Sequence, residues 1–415
     1  MISGESLPAA VSRADVEDAQ RLLAGVTRLT PLQESRLLSG RVGGPVLLKC
    51  ENLQRTGAFK LRGAYVRIAR MDAQDRARGV VAASAGNHAQ GVALAASLLG
   101  CQSTVFMPDT APPPKVSATR AYGATVCLSG TTVADALAAA AAWARDTGAV
   151  FVHPFDDVDV IAGQGTLGLE IVGQCPQVRT VVVPCGGGGL LAGVAAAVKP
   201  SHPGVRLVGV QAECAAAVAA SLAAGHPVTV PAGATVADGI AVTRPGPIAL
   251  AQIAGRVDRV VTVSDEAILR AVLFALERAR VVAEPAGAAA IAAVMHDPGS
   301  FEPPVVVIVS GGNIDPVVLL HALRATTAAG GRYASFRARI PDHPGALSDL
   351  LGKVARTGMN VLDVEHLRTV AGLRFGEAEV EIRAETRGAQ HAASALARLR
   401  EEGCAMAASP ASEHA

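Results

Sequence analysis

Aromatic residues and charge are both scarce in this 415-residue chain. Aromatic residues make up 3% of it and charged residues 18%, whereas charged residues are usually about a quarter of a soluble domain. Half of the chain is hydrophobic; enough apolar surface is therefore available to offset the entropy of folding, which excludes a disordered chain. Basic and acidic residues number 37 and 36, so no net field gathers nucleic acid or anionic lipid.

Lysine is especially rare. It occurs only at positions 49, 60, 115, 199 and 353, so 32 of the 37 basic residues are arginine. Arginine evidently serves wherever a plain positive charge is needed. Each remaining lysine is therefore a candidate for chemistry that requires a primary amine.

Apolar segments suited to crossing a membrane are also lacking. Residues 181–198 are uncharged but contain Pro184 and four consecutive glycines, and residues 214–237 are rich in alanine and contain two prolines; neither suits a spanning helix. The N-terminus has no basic region before an apolar core, as a secretory signal would have. Seven cysteines without CxxC spacing predict neither a disulfide framework nor a metal site. We therefore expect a cytoplasmic protein with no membrane or nucleic-acid partner.

The chain contains short β-branched runs that alternate with alanine-rich segments. The runs are continuously apolar, as strands buried on both faces are, and segments 88–99, 133–145 and 266–279 predict helices. The predicted strands are 46–49, 80–84, 103–107, 125–128, 150–153, 180–183, 206–210, 259–263 and 305–309. This alternation predicts an α/β fold with a parallel sheet.

The pattern changes after Ile314. We expect a large domain over 1–322, a linker over 323–331 and a small α+β domain over 332–410. The predicted order in the small domain is strand 333–340, turn 341–345, helix 346–357, strands 360–368 and 373–382, helix 390–402 and a weak last strand 404–409.

Three of the predicted strands end in glycine-bearing loops that lead into helices, within 80–93, 180–195 and 305–316. Parallel sheets bind ligands at the carboxyl ends of their strands, and a helix N-terminus offers unpaired N–H groups to an anion. One such loop alone is weak evidence, since tight turns need glycine anyway. The run Gly186–Gly189 fits neither the dinucleotide fingerprint nor the P-loop, which favours a small phosphate-bearing cofactor.

Lys60 stands out among the five lysines. It follows Phe59 at a predicted helix start, in the segment ENLQRTGAFKLRGA (51–64), where nearby positions hold arginine. An arginine at position 60 could neither form an imine nor lose its proton near neutral pH. The segment therefore indicates a reactive amine rather than a solvated surface cation.

At these residues the sequence resembles the threonine dehydratase (threonine ammonia-lyase) family, of the pyridoxal phosphate (PLP) fold-type II group. The shared segments, spread over residues 20–320, are 51–64, SAGNHAQGVA (84–93), 151–171, PCGGGGL (184–190), 235–242, EPAGAAA (284–290) and SGGNID (310–315). The resemblance implies a tryptophan synthase β-like catalytic domain with two subdomains, the smaller at roughly 51–150. It also implies a homodimer or homotetramer that binds PLP and a small amino-acid substrate.

The resemblance assigns the cofactor contacts. Lys60 would bind PLP through an imine and later remove the α-proton, and Phe59 would pack near the ring. Asn87 would bond the ring 3′-oxygen, Ser310 would face the pyridine nitrogen, and Glu284 stands where the family has an acid near the cofactor. The phosphate would be held by the backbone amides of Gly186, Gly187, Gly188, Gly189 and Leu190.

The resemblance also assigns the substrate loop and the reaction. The substrate carboxylate would bind, largely through backbone N–H groups, to Ser84, Ala85, Gly86, Asn87 and His88. Ser84 is counted with Lys60 as catalytic, and the imidazole of His88 is expected to support the loop. The implied reaction is β-elimination of L-threonine to 2-oxobutyrate and ammonia, with L-serine as a second substrate because a pocket distinguishes one methyl group weakly.

Serine racemase, of the same group, is the main alternative, with a hydroxyaspartate dehydratase of the same fold beside it. The racemase carries a second serine, its opposite-face acid/base, where this chain has Ala85. It also has a polar residue in place of Phe155, and cation-binding carboxylates in place of Gln211 and Ala217. A PLP-binding amino-acid sensor without turnover is the alternative from another class, against which the intact Lys60, glycine run and Ser310 argue.

Residues 332–410 resemble an ACT-type regulatory domain, through IPDHPGAL (340–347) and a βαββαβ order with a weak last strand. The resemblance implies an effector site at Asp342, Gly345, Ala346 and Leu347, where Gly345 lets an amino acid's backbone approach closely. Isoleucine or valine is the expected effector. A purely structural oligomerisation module is the alternative.

Overall fold

The protein is described by a computed structural model that covers residues 10–231, 233–329, 332–370 and 372–407. The chain divides into two compact units, Met1–Val318 and Leu319–Ala415. The strands are β1 (Leu32–Glu34), β2 (Val46–Cys50), β3 (Val80–Ala83), β4 (Ser103–Met107), β5 (Thr125–Leu128), β6 (Val150–Phe151), β7 (Thr180–Pro184), β8 (Arg206–Ala212), β9 (Arg259–Val263), β10 (Val305–Val309), β11 (Tyr333–Pro341), β12 (Asn360–Leu367), β13 (Glu377–Glu385) and β14 (Ala405–Ala407).

Helices connect most of these strands. They are α1 (Arg13–Leu22), α2 (Arg36–Val42), α3 (Leu61–Ala69), α4 (Ala73–Arg78), α5 (Asn87–Leu98), α6 (Pro113–Ala121), α7 (Val133–Thr147), α8 (Val158–Gln174), α9 (Gly189–Val198), α10 (Ala217–Ala224), α11 (Pro247–Ile253), α12 (Asp265–Phe274), α13 (Pro285–His296), α14 (Pro316–Ala329), α15 (Ala346–Arg356) and α16 (Ala389–Glu401). No helix in the described ranges is long and apolar enough to cross a membrane.

The first unit contains two sheets whose order explains the apolar strands. The larger sheet has the order β1-β2-β10-β7-β8-β9 and is parallel except for β1, which runs antiparallel to β2. The smaller sheet has the order β5-β4-β3-β6 and is parallel throughout. The predicted α/β fold is confirmed, and a strand lies at each predicted run. The short β1 was missed because its three residues, LQE, carry no β-branched run.

The second unit has the βαββαβ order, with an antiparallel sheet of order β12-β13-β11-β14. Alternate residues of β11, among them Phe336 and Ile340, are buried in a core that also contains Leu350 and Val354. The strand predicted at 373–382 begins at Glu377 instead. Left-handed glycines at 372 and 376, with φ of +84° and +82°, extend the turn before it. Of the last strand, predicted over 404–409, the structure shows β14 at Ala405–Ala407; residues 408–409 lie outside the described residues.

The part of the predicted linker 323–331 that the structure describes is helical, and its role as a linker stays a prediction. Helix α14 continues to Ala329, and residues 330–331 lie outside the described residues. The segment contains no glycine or proline before Gly330, and alanine has the highest helix propensity. Its small residues therefore extend the helix rather than end it.

Helix α8 approaches α3 and α9 at glycines. A Cβ atom on Gly163 of α8 would lie 2.6 Å from the carbonyl oxygen of Arg62 in α3, and one on Gly193 of α9 would lie 2.6 Å from the amide nitrogen of Gly165 in α8. Only glycine permits backbones to pack this closely. The glycines fix α3, and with it the position of Lys60 before its first turn, against the larger sheet's helices.

Four buried or nearly buried charges join these elements. The guanidinium of Arg62 lies 2.8 Å from Glu51 and 2.7 Å from Glu170, and the Lys49 amine lies 2.6 Å from Glu170. Arg62, Glu51 and Lys49 are 0% exposed. Burial opposes the charge of Glu51, but the guanidinium of Arg62 outweighs it and holds the pKa of Glu51 below its usual value. This ion-pair cluster ties β2, α3 and α8 together without net charge.

We expect Arg62→Met to lower the free energy of unfolding by about 3–5 kcal/mol, because it leaves Glu51 buried without its partner. Urea denaturation followed by circular dichroism measures the loss. The matched control is Arg179→Met, which removes an exposed guanidinium paired with Glu302 and should cost about 0–1 kcal/mol. Equal losses in the two variants would contradict a structural role for the buried cluster.

Candidate active site

A cavity of about 500 Å³ lies in the first unit, at the carboxyl ends of strands from both sheets. All three glycine-bearing loops identified in the sequence contribute to its wall. The predicted site residues that line it are Phe59, Lys60, Ser84, Ala85, Gly86, Asn87, His88, Gly186, Gly187, Gly188, Gly189, Leu190, Glu284 and Ser310. The structure therefore brings together the residues that the sequence proposed for cofactor and substrate.

Lys60 lies immediately before helix α3, with its amine inside the cavity. The amine donates a 2.7 Å hydrogen bond to the carbonyl oxygen of Pro154 and lies 5.2 Å from the centre of the Phe59 ring. Burial lowers the pKa of Lys60 to about 8, and the negative charge of Glu284 opposes this shift. More of this amine than of an ordinary lysine is consequently neutral, and nucleophilic, near physiological pH.

The segment before Lys60 is bonded to the loop that follows β10. The Phe59 amide donates to the Ser310 carbonyl at 3.2 Å, and the Gly312 amide donates to the Gly57 carbonyl at 2.9 Å. Gly57 has a φ of +71°, a left-handed conformation that side chains disfavour. These two bonds fix Lys60 relative to Ser310, which is buried.

Asn87, Glu284 and Asn313 form a chain of polar contacts at one wall. The Asn87 amide nitrogen donates to Glu284 Oε1 at 2.5 Å, and the Asn313 amide nitrogen donates to Asn87 Oδ1 at 2.8 Å. Burial raises the pKa of Glu284 to about 7. The negative charge of Asp238 also raises this pKa, whereas the hydrogen bond from Asn87 lowers it. A Cβ on Gly311 would lie against Glu284 Oε1, so any larger residue there would displace this carboxyl group.

The glycine run after β7 lines the same cavity, with a backbone suited to cradle an anion. Gly188 precedes α9 with a φ of +100°, and the first turn of that helix presents backbone N–H groups without helical partners. A Cβ on Gly187 would lie 2.4 Å from the Phe155 ring. The cradle and a primary amine thus share one cavity, which fits a cofactor that carries both a phosphate and a carbonyl group.

The loop after β3 lines the cavity with residues 84–88, and the side chains of Ser84 and His88 bond to backbone groups of the protein. Ser84 Oγ accepts a 3.1 Å hydrogen bond from the Gly86 amide, directly before helix α5. The His88 ring is buried, with Nε2 2.8 Å from the Val152 carbonyl oxygen. Burial, together with the charge of Lys60, lowers the pKa of His88 to about 3. Its imidazole is therefore neutral and supports the loop.

Two charged lining residues, and an asparagine that contacts Asn87 from outside the lining, were not assigned to the site from the sequence. Lys115 and Asp238 line the cavity and form a 3.0 Å ion pair between α6 and the short 3-10 helix Asp238–Ile240. Both could have been recognised as candidates from the sequence, since Lys115 is one of the five lysines and Asp238 lies in the shared segment 235–242. Asn313 also belongs to a segment shared with the family, SGGNID, but the resemblance gave it no role.

The second unit, taken by itself, contains a cavity of about 350 Å³. Asp342, Gly345 and Leu347 line it, and Asp342 forms a 3.0 Å ion pair with Arg368 at its wall. Ala346, predicted with them, instead lines a neighbouring cavity. The turn before α15 that was predicted as an effector site thus borders a cavity, with one of its four residues outside it.

A run of glycines before a helix and a buried lysine amine share one cavity between two largely parallel sheets, an arrangement that suits an α/β enzyme of the PLP class. Residues 23–311 match the family described as "Pyridoxal-phosphate dependent enzyme", and the chain belongs to this family.

Particular relatives are similar over most of their length. The L-threonine ammonia-lyase of Thermotoga maritima is 46% identical over 381 residues, which cover 92% of this chain and 95% of that protein. The solved structure of threonine deaminase isoform 2 from Solanum lycopersicum, in its processed form, is 36% identical with a TM-score of 0.72, covering 78% of this chain and 93% of that one. Maize serine racemase is 34% identical with a TM-score of 0.72, covering 77% and 99%. The enzyme therefore uses PLP and acts on a small molecule.

We expect the rate at which Lys60 in the apoprotein reacts with added PLP to rise with pH and level off above about 8. Only the neutral amine is a nucleophile, and burial lowers its pKa from the ordinary 10.5. Stopped-flow absorbance between pH 6 and 10 measures the rate, with Lys60→Arg as the blank because guanidinium forms no imine. A rate that keeps rising up to pH 10 would show an ordinary lysine.

Proposed function

We propose that this chain deaminates L-threonine to 2-oxobutyrate and ammonia, and L-serine to pyruvate as a secondary activity. The observation that carries the proposal is the similarity to an L-threonine ammonia-lyase over nearly the whole of both chains. The likeness spans more residues than the first unit contains, so it extends into the second. A match confined to the catalytic unit would not constrain the role of the whole chain.

The residues of the cavity support this chemistry. Bound PLP supplies an electron sink conjugated to the substrate's Cα. Lys60 holds the cofactor and later removes the α-proton, a role suited to an amine with a pKa of about 8. The amides of Gly186–Leu190 hold the phosphate, and Asn87 and Phe59 hold the ring.

The substrate is held by its carboxylate at the loop Ser84–His88. The amides at the start of α5 suit an anion because they have no helical partners. In this proposal Ser310 faces the ring nitrogen and Glu284 lies near the cofactor. A hydroxyl cannot keep that nitrogen protonated as a carboxylate can, so the ring is a weaker sink and rapid loss of the β-hydroxyl is favoured over transamination.

Racemisation requires a proton donor on the face of Cα opposite Lys60. Ala85 lines the cavity and carries no proton that it could give. Gln211, at a position where the racemase has a cation-binding carboxylate, is buried, and its side chain bonds the Ala215 carbonyl and the Ala219 amide. Both observations favour elimination over racemisation.

The assay of choice follows 2-oxo acid release from L-threonine, L-serine and D-serine. L-threonine should be turned over, with L-serine within about 10–200-fold of it in kcat/KM because the two differ by one methyl group. Lys60→Ala should abolish both turnover and the visible-edge absorbance of lysine-bound cofactor. The control Lys199→Ala removes a lysine paired with Asp258 at the surface and should change neither.

Three outcomes would contradict the proposal. Interconversion of L- and D-serine faster than 2-oxo acid release would favour a racemase. A spectral change on adding L-threonine without 2-oxobutyrate would favour a sensor. Retained absorbance in Lys60→Ala would remove Lys60 from its role.

The proposal assigns residues 1–322 to catalysis and 332–410 to an ACT-like regulatory domain that binds a branched-chain amino acid. The βαββαβ order and the cavity beside Asp342 and Gly345 support it. Gly345 has a φ of +96°, and apart from its chain neighbours no atom in the described part of the chain lies within 4 Å of where its Cβ would be, so a ligand's backbone can approach there. The proposed assembly is a homodimer or homotetramer.

We expect isoleucine or valine to change the rate of the full-length enzyme at subsaturating threonine, by shifting its population between two states. Asp342→Ala should weaken that response, since it removes a carboxylate from the cavity wall. Asp363→Ala is the control, because Asp363 pairs with Arg383 on the exposed part of the same unit. If neither amino acid alters the rate at any concentration, the domain is a structural module and this part of the proposal is wrong.

A further inference from the structure

Asn313 has no role in the function proposed above, yet it contacts a residue that does. We propose that Asn313 is a positioning residue that orients the side-chain amide of Asn87, so that the NH2 group of Asn87 faces the cavity. Asn313 is not among the residues that line the cavity, so it acts through Asn87. The inference rests on the cofactor-binding role of Asn87, and not on which amino acid is the substrate.

One end of the hydrogen-bond chain is fixed by the backbone. The Asn313 amide nitrogen lies 2.7 Å from the carbonyl oxygen of Thr56, and a carbonyl oxygen can only accept. The NH2 group of Asn313 must therefore face Thr56. Its oxygen packs against Gly57, where an added Cβ would lie 2.3 Å from Asn313 Oδ1.

The orientation of the Asn313 amide determines that of the Asn87 amide. The same NH2 group donates to Asn87 at 2.8 Å, so Asn87 must present its oxygen to Asn313 and its nitrogen to the other side. There the nitrogen donates to Glu284 Oε1 at 2.5 Å. An amide NH2 carries two hydrogens, and the second remains for an oxygen acceptor in the cavity.

The reverse orientation would place two donors together, because the NH2 group of Asn87 would face the NH2 group of Asn313. If the Asn87 amide turned over, its oxygen would face the Glu284 carboxyl group, and the cavity would lose a donor. An oxygen on the cofactor ring would then meet an acceptor instead of a donor. The Thr56 carbonyl, in the segment that carries Lys60, thus sets which atom of Asn87 the cofactor meets.

The test is Asn313→Asp in the full-length protein. A carboxylate has no hydrogen for either Thr56 or Asn87, so the Asn87 amide should turn its nitrogen toward position 313. PLP binding to the apoprotein should weaken by about tenfold or more, the cost of a buried polar group without its partner. The absorbance maximum of the bound cofactor should also shift, because a ring oxygen would lose its donor.

A matched control and a second variant separate this effect from misfolding. Asn52→Asp makes the same change at an asparagine that also donates to a backbone carbonyl, that of Val282 at 3.0 Å, but is not in contact with Asn87; PLP binding should stay within about twofold. Asn313→Ser, smaller and uncharged, should weaken binding severalfold with a circular dichroism spectrum like that of the unsubstituted protein.

A double-mutant cycle distinguishes positioning from a general structural role. If Asn313 acts through Asn87, then Asn313→Asp should change PLP binding little in a protein that already carries Asn87→Ala, because coupled residues are not additive. Full additivity would overturn the proposal, as would unchanged affinity and spectrum in Asn313→Asp alone. The readout needs no amino-acid substrate, so a failed threonine assay leaves it unaffected.

Discussion

Two backbone hydrogen bonds join the residues before Lys60 to the loop after β10, and the shape of the cavity depends on them. They connect segments about 250 positions apart in the chain and hold the reactive amine at a fixed place relative to Ser310. Backbone donors and acceptors buried in this way are costly to leave unpaired. Glu284 joins the same loop, since its amide donates to the Gly311 carbonyl. Movement of this loop would therefore disturb Lys60, Glu284 and Asn87 together.

The two lysines at positions 49 and 60 show how surroundings divide one residue type into two roles. Lys49 donates to the Thr30 carbonyl, Glu170 and Gln174, at 2.8, 2.6 and 2.9 Å, so each of its hydrogens has a partner and it serves the ion-pair cluster. Lys60 donates to a neutral carbonyl and lies at the cavity wall. Burial without a close carboxylate favours the neutral amine. The reactive lysine is thus distinguished by its neighbours rather than by its burial.

Sequence reasoning found what local patterns encode. Nine strands, Lys60 and the glycine run follow from runs of β-branched residues, from the rarity of lysine and from contiguous glycines. It missed what depends on distant pairs: Asn313 bonds a residue 257 positions away, and Arg62 pairs with Glu170 across 108. It also did not foresee that α14 continues into the predicted linker, where alanine, the strongest helix former, is frequent. The roles of the site residues remain predictions.

The fold alone does not decide between elimination and racemisation, because a threonine deaminase and a serine racemase share it with this chain. The decision must come from side chains at the two faces of the substrate. In the proposed function Lys60 takes the proton from one face, and the methyl group of Ala85 cannot return one from the other. A racemase needs a donor and an acceptor on opposite faces, whereas elimination needs one base and a leaving group. A base on the Lys60 side, with no proton on Ala85 to return, therefore favours loss of the hydroxyl, and Ala85→Ser would supply the hydroxyl that the racemase has at this position.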